Sequence, residues 1–244
     1  MEHCKERSCE AKSKVVVLFL HGICGTPKHF SPFVPCVPSH MTVCNLLLDG
    51  HGADVRAFSR TSMRKWEQQV EATVNTLLKE HEKLYIVAHS MGTLFAIEQA
   101  VRHPNVSKLF LLAVPIRLRL SVQMLKNAWN LYWGKEKSND PRAEAAKACC
   151  GVHCERNPFL YLGWIPRYLE LFSKIGRTKR LLPMLACQST AYQSLQDETV
   201  SNRSVAYLEQ NTKMRVVPLE HSAHFYYEAS DMAFLLQEFR TFLT

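Results

Sequence analysis

A chain of 244 residues, 47% hydrophobic and 21% charged, is long enough for one domain with a substantial core, and its composition is that of an ordinary globular protein. No run approaches the roughly 18 consecutive apolar residues that a membrane-spanning helix requires, so stable membrane insertion is not expected. The net charge of +8 is scattered, apart from modest groups such as Arg117 with Arg119 and Arg177 with Lys179 and Arg180. No nucleic-acid motif accompanies it, so a solvated surface is expected rather than a nucleic-acid partner.

The first fourteen residues are charged and lack the apolar centre of a signal peptide, which predicts a cytoplasmic protein. Its nine cysteines, an odd number, are then expected as reduced thiols. Val15–Leu20 (VVVLFL) predicts the first strand and Val43–Leu48 (VCNLLL) the second. Trp66, Val70, Val74 and Leu77 recur at helical spacing over Arg64–Lys79. A third strand is expected at Leu84–Ala88, followed by a helix over Met91–Arg102 that Pro104 stops. Lys108–Ala113 predicts a fourth strand. Thr190–Leu195 and Met214–Leu219 complete the set, and Met232, Leu235, Leu236 and Phe239 mark a final amphipathic helix. Short apolar runs alternating with helical patterns predict an α/β fold, a mostly parallel central sheet with helices on both faces.

The segment from Pro115 to about Pro183 breaks that alternation. It is rich in aromatics (Trp129, Tyr132, Trp133, Phe159, Tyr161, Trp164, Tyr168, Phe172) and reads as short helices. The expected organisation is therefore a core of residues 1–114 and 184–244 with a helical cap inserted at 115–183. Within the cap, Cys149, Cys150, His153 and Cys154 have metal-ligand character. The second well-spaced pair that a zinc site would need is absent nearby, and no metal is expected.

Ala88-His89-Ser90-Met91-Gly92 follows a strand and opens a helix, the context in which a serine becomes an exposed nucleophile on a tight turn. A helix starting at Met91 also aims its positive dipole end at a developing oxyanion. Upstream, His21-Gly22-Ile23-Cys24-Gly25 follows the first strand, which makes the Ile23 and Met91 N–H groups the candidate oxyanion donors. His21 is expected to orient the loop by hydrogen bonding. A serine needs a base, and the base needs an acid, in the chain order Ser, acid, His. His224 and His221 both follow the last strand. Asp197, just after the Thr190–Leu195 strand, is the candidate acid and Glu198 the alternative. Asp231 falls at the start of the final helix, where a negative charge complements the dipole.

Taken together, these segments resemble the compact bacterial carboxylesterase and monoacylglycerol lipase group of α/β hydrolases. Leu20-His21-Gly22-Ile23-Cys24-Gly25-Thr26-Pro27 is similar to that group's Leu-His-Gly-Phe-Thr-Gly-Thr-Pro. Asp49-Gly50-His51-Gly52 resembles its Gly-His-Gly loop, Thr61 through Trp66 its Thr-x-x-x-x-Trp, Gln193 through Val200 its strand and acid turn, and Ser222-Ala223-His224 its Ser-Gly-His. The resemblance implies a Ser90–His224–Asp197 triad, with His224 favoured over His221, and no cofactor or metal. It also implies a small-molecule ester substrate with an apolar acyl group, either a short- to medium-chain acyl ester or a monoacylglycerol. Ala88, Ala223 and Ser189 depart from the group's usual Gly, Gly and Pro. Two alternatives stay open: another hydrolytic reaction such as thioester or carbon–carbon cleavage, and a non-catalytic binding relative, which the Ala88 and Ala223 departures motivate.

Overall fold

In the computed structural model, which describes residues 13–119 and 140–244 and the backbone of residues 4–7, the apolar runs become parallel strands of one sheet. Among the described residues nine strands follow in chain order: β1 (Cys4–Arg7), β2 (Val15–Leu20), β3 (Thr42–Leu46), β4 (Ala53–Asp54), β5 (Lys83–His89), β6 (Val106–Leu112), β7 (Val152–His153), β8 (Gln188–Ser194) and β9 (Met214–Leu219). Seven of them form the central sheet in the order β1-β3-β2-β5-β6-β8-β9. Every neighbouring pair is parallel except β1 with β3. β4 and β7 make a separate parallel pair.

The α-helices of the described residues are α1 (Val55–Arg60), α2 (Met63–Glu80), α3 (Met91–Arg102), α4 (Pro141–Cys149), α5 (Ile165–Leu181), α6 (Val205–Leu208) and α7 (Ala229–Leu243). The side chains of Asp54 and Ser62 cap α1 and α2 by accepting the Ala57 and Lys65 N–H groups, which satisfies donors that a helix start leaves free.

The near-continuous apolar strands are explained by cover on both faces. Successive side chains of β2 alternate between two cores. Val16, Leu18 and Leu20 pack with Trp66, Val70, Val74 and Leu94 from α2 and α3. Val17 and Phe19 pack with Phe33, Phe110 and Phe239 on the α7 side.

The structure departs from the expected elements at several places, of which three have a clear physical reason. β1 lies in a stretch read only as charged; CKER gives no apolar pattern, and the strand pairs antiparallel at the sheet edge. β3 stops at Leu46 because the Leu48 N–H turns away to a histidine acceptor. β8 begins at Gln188 because ladder pairing with β6 and β9 continues through polar residues. The thiol expectation also needs correction: Cys24, Cys36, Cys149, Cys150, Cys154 and Cys187 are reduced thiols, but Cys44 is disulfide-bonded.

Of the segment proposed as a cap, Trp129, Tyr132 and Trp133 lie outside the described residues. The described part packs on α1, α2 and α3. Trp164 donates its indole N–H to the Val55 carbonyl at 3.2 Å and meets the Phe58 ring in a tilted contact at 4.6 Å. Glu170 accepts the Met63 N–H at the start of α2. Lys174, almost wholly buried, is paired with Glu67 of α2 and Glu98 of α3. Among the described residues no helix is long and apolar enough to cross a membrane.

Candidate active site

The carboxyl ends of β2, β5, β8 and β9 converge, as ligand-binding ends of parallel sheets do. Ser90 follows β5 with φ 51°, ψ −123°, a left-handed conformation that few non-glycine residues adopt. The Ser90 N–H remains tied to Leu112 O at 2.9 Å, while its own carbonyl accepts Thr93 N–H. Ser90 occupies the cap position of α3, yet its hydroxyl makes no capping hydrogen bond. It is directed to histidine instead: Ser90 Oγ lies 3.1 Å from His224 Nε2. His224 Nδ1 is 2.8 Å from Asp197 Oδ2. The other Asp197 oxygen accepts the Thr199 and Val200 N–H groups, each at 2.7 Å, so the acid is fixed by the turn that follows β8.

The competing residues fall elsewhere. The His221 side chain is 57% exposed and lies 4.0 Å from its neighbour Glu220. Glu198 accepts the His224 backbone N–H at 3.3 Å rather than the imidazole. Asp231 accepts from the His221 N–H and the Ser222 hydroxyl, holding the loop that carries His224.

Five buried imidazoles surround the site, and they separate by electrostatics. Burial draws His21 down to about 4 and His29 to about 3, and holds His51 and His89 well below the ordinary histidine value. Burial is also the largest single influence on His224, but the charge and hydrogen bond of Asp197, with the charge of Glu198, outweigh it and lift His224 above 6.5. Of these five, His224 alone has a carboxylate on its ring. His89 supports it by donating its Nε2–H to the His224 carbonyl at 2.9 Å. His29 stacks on His89 at 3.9 Å.

Two candidate oxyanion donors border Ser90. Met91 is the first residue of α3, so its N–H has no partner within the helix. Ile23 lies in the loop after β2, where His21 Nδ1–H donates to Gly22 O. Gly92 lets α3 begin against that loop: a Cβ there would lie 2.2 Å from Leu20 O and 2.8 Å from His21 O.

The departures at Ala88, Ala223 and Ser189 have simple physical accounts. Ala88 is an ordinary buried strand residue paired with Leu20 and Leu111. Neither Ala88 nor Ala223 has a positive φ, so neither position demands glycine. Ser189 donates its N–H to Lys213 O at 3.1 Å, a bond proline would forfeit.

The metal-like cluster finds protein partners. Cys149 Sγ lies 3.6 Å from His29 Nδ1, and Cys150 and Cys154 both donate to Val152 O. Among the described residues no group of three or more His, Cys, Asp or Glu has the geometry to hold a metal ion. His29 and His89 were not singled out from sequence. His89 could have been read from its place one residue before the serine, whereas His29 carries no local signal.

The chain is similar over nearly its whole length to several solved structures. One belongs to the metagenome-derived lipolytic enzymes LipS and LipT, at 19% identity and a TM-score of 0.74, covering 98% of this chain and 96% of that one. A second comes from work on carboxylesterases of Nitrososphaera gargenis, at 15% identity and TM-score 0.71, covering 99% and 94%. A third is the monoacylglycerol lipase of Paleococcus ferrophilus, at 13% identity and TM-score 0.71, covering 98% of each. No curated protein matches the chain. The alpha/beta hydrolase fold family matches residues 15–148, more than half of the sequence, and the chain belongs to that family.

Proposed function

We propose that the protein is a serine hydrolase that cleaves carboxylic esters with an apolar acyl group, short- to medium-chain acyl esters or monoacylglycerols, through Ser90, His224 and Asp197. The observation that carries the proposal is the unbroken chain Ser90 Oγ, His224 Nε2, His224 Nδ1, Asp197 Oδ2, with contacts of 3.1 and 2.8 Å. Ser90 Oγ attacks the ester carbonyl while His224 takes its proton, and Asp197 holds the imidazole and balances its charge. The Ile23 and Met91 N–H groups receive the oxyanion. His224 then protonates the leaving alcohol, and water, activated by the same imidazole, releases the acid and frees Ser90. No step calls for a metal or organic cofactor. Residues 115–183 serve as a cap; in support, the Tyr168 hydroxyl reaches within 3.8 Å of Cys24 Sγ in the oxyanion loop. Such a cap would shelter the acyl group.

A chain-length series of p-nitrophenyl esters, run beside monoacylglycerols and acyl-CoA, tests the substrate class. Release of p-nitrophenol with a preference among acyl lengths is expected, together with a fluorophosphonate adduct on the Ser90 peptide. An unlabelled Ser90 and no ester turnover would overturn the proposal, while preference for acyl-CoA would redirect it to thioesters.

The titration of His224 makes a second expectation. As base it must be neutral, so kcat/KM falls as pH drops through its pKa, and the acid limb lies on the alkaline side of an ordinary histidine's. In Asp197→Asn the main raising influence is gone and burial remains, so the limb moves to lower pH. A limb that stays in place in that variant would show that Asp197 does not set the base.

A further inference from the structure

The loop of residues 21–25 after β2 borders Ser90, and the loop of residues 47–52 after β3 packs on it; each contributes a buried histidine to the other. His21 Nδ1–H donates to Gly22 O at 2.9 Å, leaving Nε2 as an acceptor for the Leu48 N–H at 3.1 Å. His51 donates from Nδ1 to Leu48 O and Asp49 O, leaving its Nε2 to accept the Cys24 N–H at 3.2 Å. The two rings meet edge-on at 4.7 Å. Each imidazole can accept only while neutral, and burial holds both in that state.

The consequence falls on one peptide group. Gly22 C=O and Ile23 N–H belong to the same planar trans unit and point in opposite directions. Gly22 O is held by two donors, His21 Nδ1–H and the Gly25 N–H at 3.0 Å, so the Ile23 N–H faces away from the loop's own hydrogen bonds. The two following peptides, one on each side of Cys24, whose φ is 56°, are both held. The Cys24 N–H goes to His51, and the Cys24 carbonyl accepts the Gly151 N–H at 2.7 Å. Gly151 in turn accepts the Gly52 N–H at 2.5 Å. A Cβ on Gly151 would come within 2.2 Å of Gly25 O, so the contact requires glycine. The 47–52 loop is itself anchored to α2: Trp66 Nε1–H donates to Asp49 O at 2.7 Å, and Gln69 bonds both Asp49 N–H and Leu47 O.

We infer that His51 is a positioning residue for the oxyanion step, fixing the Cys24 peptide so that the neighbouring Ile23 N–H stays aimed at the carbonyl attacked by Ser90. Its catalytic effect rests on the ester-hydrolase reading; the loop geometry does not. His51 touches no reacting atom and acts by preorganisation, so its loss costs rate in the transition state and leaves ground-state binding nearly intact.

The test compares His51→Phe, which keeps aromatic packing against Phe58 and Trp66 but has no acceptor, with His51→Gln, whose amide oxygen can accept. For His51→Phe, kcat on a p-nitrophenyl ester is expected to fall about 10- to 100-fold with KM within about threefold, a size expected of a misaligned catalytic group. Affinity for phenylboronic acid, which forms a tetrahedral adduct on the serine, should fall in step, and His51→Gln should recover most of both. Amide exchange at Cys24 should accelerate in His51→Phe and stay slow in His51→Gln. Unchanged kcat in His51→Phe, a change confined to melting temperature, or no recovery by Gln would overturn the inference. Should the wild-type protein cleave no ester, the ester-hydrolase reading fails on its own, and boronate affinity with Cys24 exchange still decides for or against the positioning role.

Discussion

Ser90→Ala and His224→Ala are each expected to lower kcat for ester hydrolysis by about six orders of magnitude, and the double variant by no more than either alone, because nucleophile and base act as one unit. Without His224 the hydroxyl is a poor nucleophile; without Ser90 the imidazole has nothing to activate at 3.1 Å. Asp197→Asn is expected to cost about 10⁴-fold, since an amide favours the wrong tautomer of the imidazole it touches. His221→Ala, in contrast, should stay within about twofold, because that side chain is exposed and directed at Glu220 rather than Ser90. Steady-state kinetics on one p-nitrophenyl ester, with melting temperatures for each variant, separates these cases. If Ser90→Ala retained even a hundredth of the rate, a different nucleophile would be at work. If His221→Ala fell as far as His224→Ala, the assignment of the base would be wrong.

The contrast between the two histidines shows what could be read from the residues alone. Ser90 was legible because a tight strand-to-helix turn demands a local pattern, apolar run before and amphipathic helix after, and both are printed in consecutive residues. Most of the sheet was legible for the same reason: strands covered on both faces are largely apolar. β1 was not, because an edge strand is specified by a partner far along the chain rather than by its own four residues. The distances from Ser90 to His224 and from His224 to Asp197 span 134 and 27 residues, and no local rule encodes them; chain order could only nominate candidates. The exchange of N–H groups between His21 and His51 was hidden for a related reason. Each histidine serves the other's loop, 27 residues away, so neither segment by itself reveals an acceptor. His51 was visible only as the middle of a Gly-His-Gly resemblance, without a role.

Gly92→Ala is expected to be the most damaging single-methyl change near the site, and its effect should reach the fold as well as the rate. The added carbon would lie 2.2 Å from Leu20 O, 2.8 Å from His21 O and 2.8 Å from the Leu20 carbonyl carbon. All three are backbone atoms at the end of a central strand, so no side chain can rotate to make room. Relief requires the start of α3 to withdraw from β2, which carries Met91 N–H and Ser90 away from Ile23 together. Overpacking of this kind, compounded by displacement of a buried helix whose Leu94 and Ile97 lie in the core, belongs with the severe class of about 4 kcal/mol or more. Gly176→Ala provides the matched comparison. Gly176 lies inside α5 with nothing within 4 Å of its would-be Cβ, so the same methyl should stabilise by about 0.5–1 kcal/mol through reduced freedom of the unfolded chain. Urea denaturation of the two variants beside wild type would show midpoints moving in opposite directions. A Gly92→Ala protein with a wild-type midpoint and undiminished kcat would mean that α3 and β2 do not approach as closely as the tight turn at Ser90 requires, and the positions of both oxyanion donors would fall with it.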